Sequence, residues 1–298
     1  MIQIIGTIFV AALGLAFGSF LNVCLSRWPA EESVVQPRSH CRHCSHTLSW
    51  WENVPLVSWL VLQGRCRECR SWIGWRYPLV ELAVAVLWVA AAGHLFRGLI
   101  DPDLPPIYLY HALAIAIGKM IFYWLLVALA LLDAENFWLP NFLTIPGAVL
   151  GLVFALLVAG IGSLIPNDVY LHTPGYAILM ATILRLLSIL IAAGIILLIR
   201  WIYWLVRRQE GMGLGDAKLM ALLAAWLGLP QALFAFGVGV MIGGGAALVL
   251  LALPKVQSDA GGWALKKLPL GTFLCIGGVV SSLWGQRCID AYLRWAGF

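Results

Sequence analysis

The chain has 298 residues, of which 62% are hydrophobic and only 11% charged, with a formal net charge of +5 and a mean hydropathy of +0.91. A typical soluble domain carries about 25% charged residues, and a soluble fold of this length cannot hide so much apolar surface in one core. A water-soluble globule is excluded; the solvent that fits is a bilayer, which requires spans of about 20 apolar residues whose backbones bond to themselves, hence helices.

Eight spans are predicted, at 2–24, 78–96, 111–132, 141–162, 176–204, 217–229, 231–253 and 268–286. Met1 to Gly6 carry no Lys or Arg, so the first span reads as a retained helix and not a signal peptide. Gly14 and Gly18 lie four apart on it and predict close packing against another helix. The loop 25–77 follows, with Arg27, Arg38, Arg42, Arg65, Arg67, Arg70 and Arg76. The sixth span is short, because Gly228 and Pro230 end it. Arg207, Arg208 and Lys218 precede or open it, and Lys255, Lys266 and Lys267 follow the seventh span. The alternate loops are poor in basic residues: 97–110 has only Arg97, and 163–175 has none. The positive-inside rule places the basic loops in the cytoplasm and both termini outside. This asymmetry accounts for the net charge, so no nucleic-acid partner is expected. Lys119 and Arg185 fall within spans and are expected to snorkel outward.

The loop 25–77 contains Cys41-Arg-His-Cys44 and Cys66-Arg-Glu-Cys69. Two such knuckles can aim four thiolates at one ion, the pattern of a structural tetrahedral Zn²⁺ site. Disulfides or free thiols are the competing readings, and cytoplasmic placement argues against disulfides. A loop this short and polar would draw much of its folding energy from the metal. His40, His43 and His46 lie nearby and are read as surface polar residues. Cys24, Cys275 and Cys288 are read as packing residues.

Two acids meet apolar helices. Asp133 ends the run from Trp124 to Leu132, and Asp216 opens another in Gly211-Met-Gly-Leu-Gly-Asp216-Ala-Lys218. Both fall at cytoplasmic span ends, so they can share one depth. Two facing carboxylates share a proton, which lets one activate water while the other polarises a carbonyl. The glycines before Asp216 allow close backbone approach. The competing reading makes each a helix-end acid, Asp216 as an N-terminal cap. Glu81 and Glu135 also lie near span ends, and Glu135 is expected to face solvent.

Gly213-Leu-Gly-Asp216 is similar to the GxGD motif of intramembrane aspartyl proteases. Gly18-Ser-Phe-Leu-Asn-Val23 with Arg27 and Pro29 resembles the first-span signature of type IV prepilin peptidases. Pro37-Arg-Ser39, Val54-Pro-Leu-Val-Ser-Trp59, Gly64-Arg-Cys66 and Tyr77-Pro-Leu-Val-Glu81 extend that resemblance. Asp133 with Leu139-Pro140 and Leu143-Thr144 resembles the segment of that family's first catalytic aspartate, and Gly211 to Leu219 that of the second.

The resemblance implies an all-α integral membrane protein of about eight transmembrane helices in a bacterial inner membrane. Residues 1–24 would form the first helix, 25–77 the cytoplasmic zinc loop and methyltransferase part, and 78–298 the protease domain. Asp133 and Asp216 would be catalytic, with Gly213, Gly215 and Lys218 in support, and Cys41, Cys44, Cys66 and Cys69 would hold zinc. The activity implied is removal of the leader of type IV prepilins or type II secretion pseudopilins, presented as helices in the bilayer. N-methylation of the new N-terminus from S-adenosylmethionine would follow. The loop carries no GxGxxG of a nucleotide-binding βαβ unit, and Asn22, Glu81 and the arginines are candidates for the methyl-donor site. Asn141 stands where the family often has an acid. Pro269-Leu-Gly-Thr-Phe273 departs from a segment that usually reads Phe-Gly-Pro. Neither departure is expected to touch the two aspartates. Two rivals remain: a proton-coupled transporter with Asp133 and Asp216 as relay and Lys119 and Arg185 as counter-charges, and a non-enzymatic assembly factor docking through the zinc loop.

Overall fold

The computed structural model describes residues 1–98, 104–165, 174–208, 213–252 and 268–297. The helices are α1 (Ile2–Arg27), α2 (Val57–Val61), α3 (Arg76–Gly98), α4 (Pro106–Asn136), α5 (Asn141–Gly162), α6 (Pro174–Arg207), α7 (Leu214–Leu227), α8 (Leu229–Ala252), α9 (Leu270–Val280) and α10 (Gln286–Trp295). Extended pairing among the described residues is limited to two isolated bridges, His40 with Thr47 and Arg65 with Trp72. The chain is a multi-pass helical membrane protein. Among the described residues six helices (α1, α3, α4, α5, α6 and α8) are long and apolar enough to cross a bilayer, and large side chains such as Leu184, Leu190 and Leu248 stand exposed on them for lipid.

The expected sixth and eighth spans take other forms. The sixth is α7, whose 14 residues reach about 21 Å at 1.5 Å per residue, short of the ~30 Å hydrocarbon core. It ends where the sequence indicates, at Gly228 with φ 82°. A helix apolar on every side belongs inside other helices, and Leu219, Met220, Leu222 and Leu223 are fully buried. The eighth is α9, continued by a π-helical turn, Ser281–Gly285, into α10.

The chain forms two compact units, Met1–Ala128 and Leu129–Phe298. In the first, a Cβ on Gly14 would stand 2.6 Å from Ala85 Cα, and one on Gly18 would stand 2.6 Å from Glu81 Cα. The glycines therefore let the α1 backbone lie directly on that of α3, as their spacing predicts. Between these helices runs the cysteine loop, braced by an aromatic cluster of Trp59, Trp72 and Trp75 with ring centroids 4.5 to 5.9 Å apart.

In the second unit α7 is held by α5, α6, α8 and α9. Trp226 lies over Gly151, and its indole N–H donates to the Gly147 carbonyl at 2.9 Å. Arg185 does not snorkel. Its Nη1 reaches the Ala224 carbonyl at 3.5 Å and sits beside Gly228, where a cation complements the C-terminal dipole of α7. Lys119 is half-buried near the middle of α4. Cys24 and Cys275 are buried as expected, but Cys288 is exposed on α10 and is not a packing residue. Lys255, Lys266, Lys267, Gly211, Met212 and most of the loop 163–175 lie outside the described residues.

Candidate active site and metal site

The apolar run before Asp133 makes α4 an unbroken helix of 31 residues. At about 46 Å it outruns the hydrocarbon core, so its ends reach the boundary. Phe137, at φ 52°, closes its last turn by donating N–H to the Asp133 carbonyl at 2.9 Å. Pro140 then sits at the N-cap of α5. Asp133 itself is 7% exposed. Its Oδ2 accepts the Thr272 N–H at 2.7 Å and lies 3.2 Å from Thr272 Oγ1, which also stands 2.9 Å from the Ala130 carbonyl. Thr272 is in the first turn of α9, where N–H groups have no helical carbonyl. A carboxylate from α4 therefore takes a donor that α9 leaves open, and anions are favoured at such an end.

Asp216 uses the same device within its own helix. It is the third residue of α7, and its Oδ2 accepts the Gly213 N–H at 3.1 Å. Leu139 packs against the backbone beside each carboxylate. A Cβ on Gly215 would lie 3.1 Å from Leu139 Cδ1, and one on Gly271 would lie 3.0 Å from that same atom and 2.9 Å from Asp133 Oδ2. Both glycines thus open space for one leucine, and the two aspartates are near enough to feel each other's charge. Cys275 is buried one turn along α9 from Gly271. Two interacting carboxylates in an apolar setting can hold one proton between them and activate water.

Lys218 Nζ donates to Asn141 Oδ1 at 2.6 Å. A neutral amide is thus the partner of this cation. Gly213 supplies the N–H to Asp216, and Gly215 supplies clearance. Against expectation, one departure from the family pattern does touch the aspartates: Gly271 and Thr272 contact Asp133 directly. Only a residue other than proline at position 272 provides that N–H.

The four cysteines also converge. The two knuckles repeat one geometry: Ser45 N–H bonds the Cys41 carbonyl at 2.9 Å, and Arg70 N–H bonds the Cys66 carbonyl at 3.0 Å. Ser45 and Arg70 both carry positive φ, 59° and 57°. Cys41 Sγ and Cys69 Sγ are 3.8 Å apart, Cys44 Sγ and Cys66 Sγ 3.9 Å, and all four sulfurs lie within 4.8 Å of one another. A tetrahedron with Zn–S bonds of ~2.3 Å has edges of about 3.8 Å, so the sulfur set fits a metal ion of that size. The histidines stand outside it: His46 Nε2 lies 3.5 Å from Glu52 Oε2, and His40 Nδ1 lies 3.1 Å from the Arg38 carbonyl.

The thiols divide sharply. Burial works against ionisation of Cys41, but the Cys44 and His43 N–H groups, with Cys66 and Ser71, bring it down to about 6. At Cys44 the His46 N–H favours the thiolate, yet desolvation and the neighbouring sulfurs push it up to about 12. Four sulfurs at this spacing cannot all ionise without a cation among them.

Comparison with known proteins places the chain in a family. Residues 12–95 match the model of the bacterial peptidase A24 N-terminal domain, and residues 120–248 match that of the type IV leader peptidase family. The chain is 32% identical over 309 residues to the prepilin leader peptidase/N-methyltransferase of Pseudomonas aeruginosa, covering 96% of this chain and 93% of the relative. It is 34% identical over 310 residues to the protein of that name from Aeromonas hydrophila, covering 96% and 92%. No solved structure matches. By near-full-length similarity at this identity, the chain belongs to the type IV leader peptidase family.

Proposed function

We propose that this chain is a membrane aspartic endopeptidase that removes the leader of type IV prepilins or type II secretion pseudopilins. It then N-methylates the new N-terminal residue. The observation that carries the cleavage reading is the position of Asp133 and Asp216 at helix ends, in the last turn of α4 and the first of α7, with Gly271 beside Asp133 and Gly215 beside Asp216 both packing on Leu139. A proton relay would set its acids in mid-membrane, and the helix-end position supports hydrolysis at the boundary instead.

The substrate's N-terminal helix enters the bilayer while its basic leader stays in the cytoplasm. The scissile carbonyl comes to the two carboxylates. The ionised member takes a proton from water as the oxygen attacks, and the protonated member hydrogen-bonds the developing oxyanion. It then gives its proton to the leaving amine, without a covalent intermediate. Thr272 and Gly213 hold one oxygen of each carboxylate, fixing which edges face the substrate. Residues 25–77 form the cytoplasmic metal-binding and methyl-transfer part, with Cys41, Cys44, Cys66 and Cys69 as ligands to a structural Zn²⁺ that ties the knuckles together. S-adenosylmethionine, when bound, would supply the methyl group for the new N-terminal amine.

The test is cleavage of a purified prepilin by the native chain and by Asp133→Asn and Asp216→Asn, each checked for thermal unfolding. General acid–base groups are worth about 10²–10⁴-fold, so each variant should lose at least that. A folded variant with native cleavage would remove its aspartate from the mechanism.

A further inference from the structure

The first unit contains a cavity of about 650 Å³ that runs from α1 and α3 up to the cysteine knuckles. Its volume lies within the ~300–1,000 Å³ of small-molecule sites. Its polar equipment is unusual for the edge of a membrane domain. Glu81 and Glu52 both line it, 6% and 7% exposed. Glu81 Oε2 accepts the Leu56 N–H at 2.8 Å, and Glu52 Oε2 accepts the Ser49 N–H at 2.7 Å.

Two acceptors in this wall lack partners among the described residues: Asn22 Oδ1 and Glu52 Oε1. Asn22 is 2% exposed, and its amide nitrogen already donates to the Tyr77 carbonyl at 3.0 Å. Its remaining oxygen needs a donor, because a buried acceptor left alone costs about 1–3 kcal/mol. Trp59 and Trp72, edge to face at 5.8 Å, add aromatic surface to the same cavity. The only cation wholly enclosed there is already used: Arg27 donates to the Ser33 and Pro37 carbonyls at 2.7 and 2.6 Å.

The wall thus offers two carboxylates, a free acceptor and an indole pair. It is complementary to a small cation with hydrogen-bond donors and a flat ring. We infer that this cavity is the S-adenosylmethionine site, with Glu81 and Glu52 facing the sulfonium and ammonium charges, Asn22 Oδ1 accepting from an amine, and Trp59 and Trp72 against the adenine. This assignment rests on the methyltransferase reading above and gives that activity a location. No glycine-rich nucleotide fold is needed, since buried carboxylates and aromatic faces recognise a sulfonium directly.

The test is equilibrium dialysis of radiolabelled S-adenosylmethionine against the purified, zinc-replete full chain without prepilin, with methyl transfer and thermal unfolding measured alongside. Glu81→Gln keeps an oxygen for the Leu56 N–H but removes the charge, and Asn22→Leu removes the free acceptor. Each should weaken donor binding by roughly 10- to 100-fold, the loss expected for one charge-assisted contact. Native affinity in both folded variants would overturn the site while leaving the methyltransferase reading intact. If the native chain neither binds nor methylates, that reading falls and takes the site with it. Ultraviolet crosslinking of the labelled donor to the native chain needs no substitution and decides the matter if the variants do not fold. Label within residues 19–81 supports the site, and label elsewhere overturns it.

Discussion

Gly271→Ala adds one methyl group at the most crowded point of the proposed protease site. The new Cβ would stand 2.9 Å from Asp133 Oδ2 and 3.0 Å from both Asp133 Cγ and Leu139 Cδ1. Ordinary carbon contacts lie near 3.5–4.0 Å, so the carboxyl must withdraw by about 0.5–1 Å. A shift of that size stretches the 2.7 Å bond from Thr272 N–H, a charged contact worth about 1.5–3 kcal/mol. Misplacing a reacting group by about 1 Å costs on the order of 10²-fold in rate. The fold should persist: overpacking costs about 1–3 kcal/mol, partly offset by the ~1 kcal/mol that alanine gains over glycine in a helix. The expected result is about a hundredfold fall in prepilin cleavage, with a cooperative unfolding transition and donor binding as in the native chain. Cleavage near the native rate in the folded variant would refute the claim that the position of Asp133 matters to within an ångström.

Other outcomes are expected. Thr272→Val keeps the N–H to Asp133 and loses only the hydroxyl, so cleavage should fall far less than in Gly271→Ala; equal losses would move the role from backbone to side chain. Gly18→Ala would drive a Cβ to 2.6 Å from the Glu81 backbone, so this helical Gly→Ala change should lower thermal stability, the reverse of the ~1 kcal/mol gain at an ordinary position. The purified chain should carry one zinc ion, measured by elemental analysis, and Cys66→Ser should lose it; retention of metal would argue for other ligands. At Glu52 burial opposes the charge, but the Ser49 N–H and hydroxyl and then His46 outweigh it and hold the carboxyl below its usual range. A group depressed in the folded state stabilises above its unfolded value, about 4.3, and that contribution is lost as pH falls through the lower folded value. The stability gap between the native chain and Glu52→Gln should therefore be level at neutral pH and close on acidification; a gap that widened would reverse the sign.

Much of this architecture was legible in the residues. The cysteine knuckles carry their own spacing, and Gly14 and Gly18 announce a close helix contact. Asp133 and Asp216 stand out because charge is rare in this chain. What could not be read is pairing at a distance. Gly271 and Thr272 belong to a segment that reads as a weak departure from the family pattern, and no periodicity ties it to a helix more than a hundred residues earlier. Arg185 reads as a snorkelling cation because a sequence shows its own helix but not the carbonyls at the end of α7. The shortness of α7 is visible in Gly228 and Pro230, whereas the burial of most of its length among four neighbours is a property of the assembled unit.

The turn at Leu56 has a further bearing on the cysteine loop. Its φ of 58° and ψ of −47°, closed by Val57 N–H on the Pro55 carbonyl at 2.6 Å, is a conformation that costs a non-glycine residue about 1–3 kcal/mol. The turn persists because it delivers the Leu56 N–H to Glu81. The conformation of a polar loop is thereby tied to one carboxylate on a membrane helix. Thermodynamic linkage works in both directions: whatever orders the loop tightens the setting of Glu81, and whatever binds at Glu81 helps order the loop. Metal binding at the knuckles and small-molecule binding in the cavity, both as proposed above, should therefore be coupled, each raising the other by the same factor.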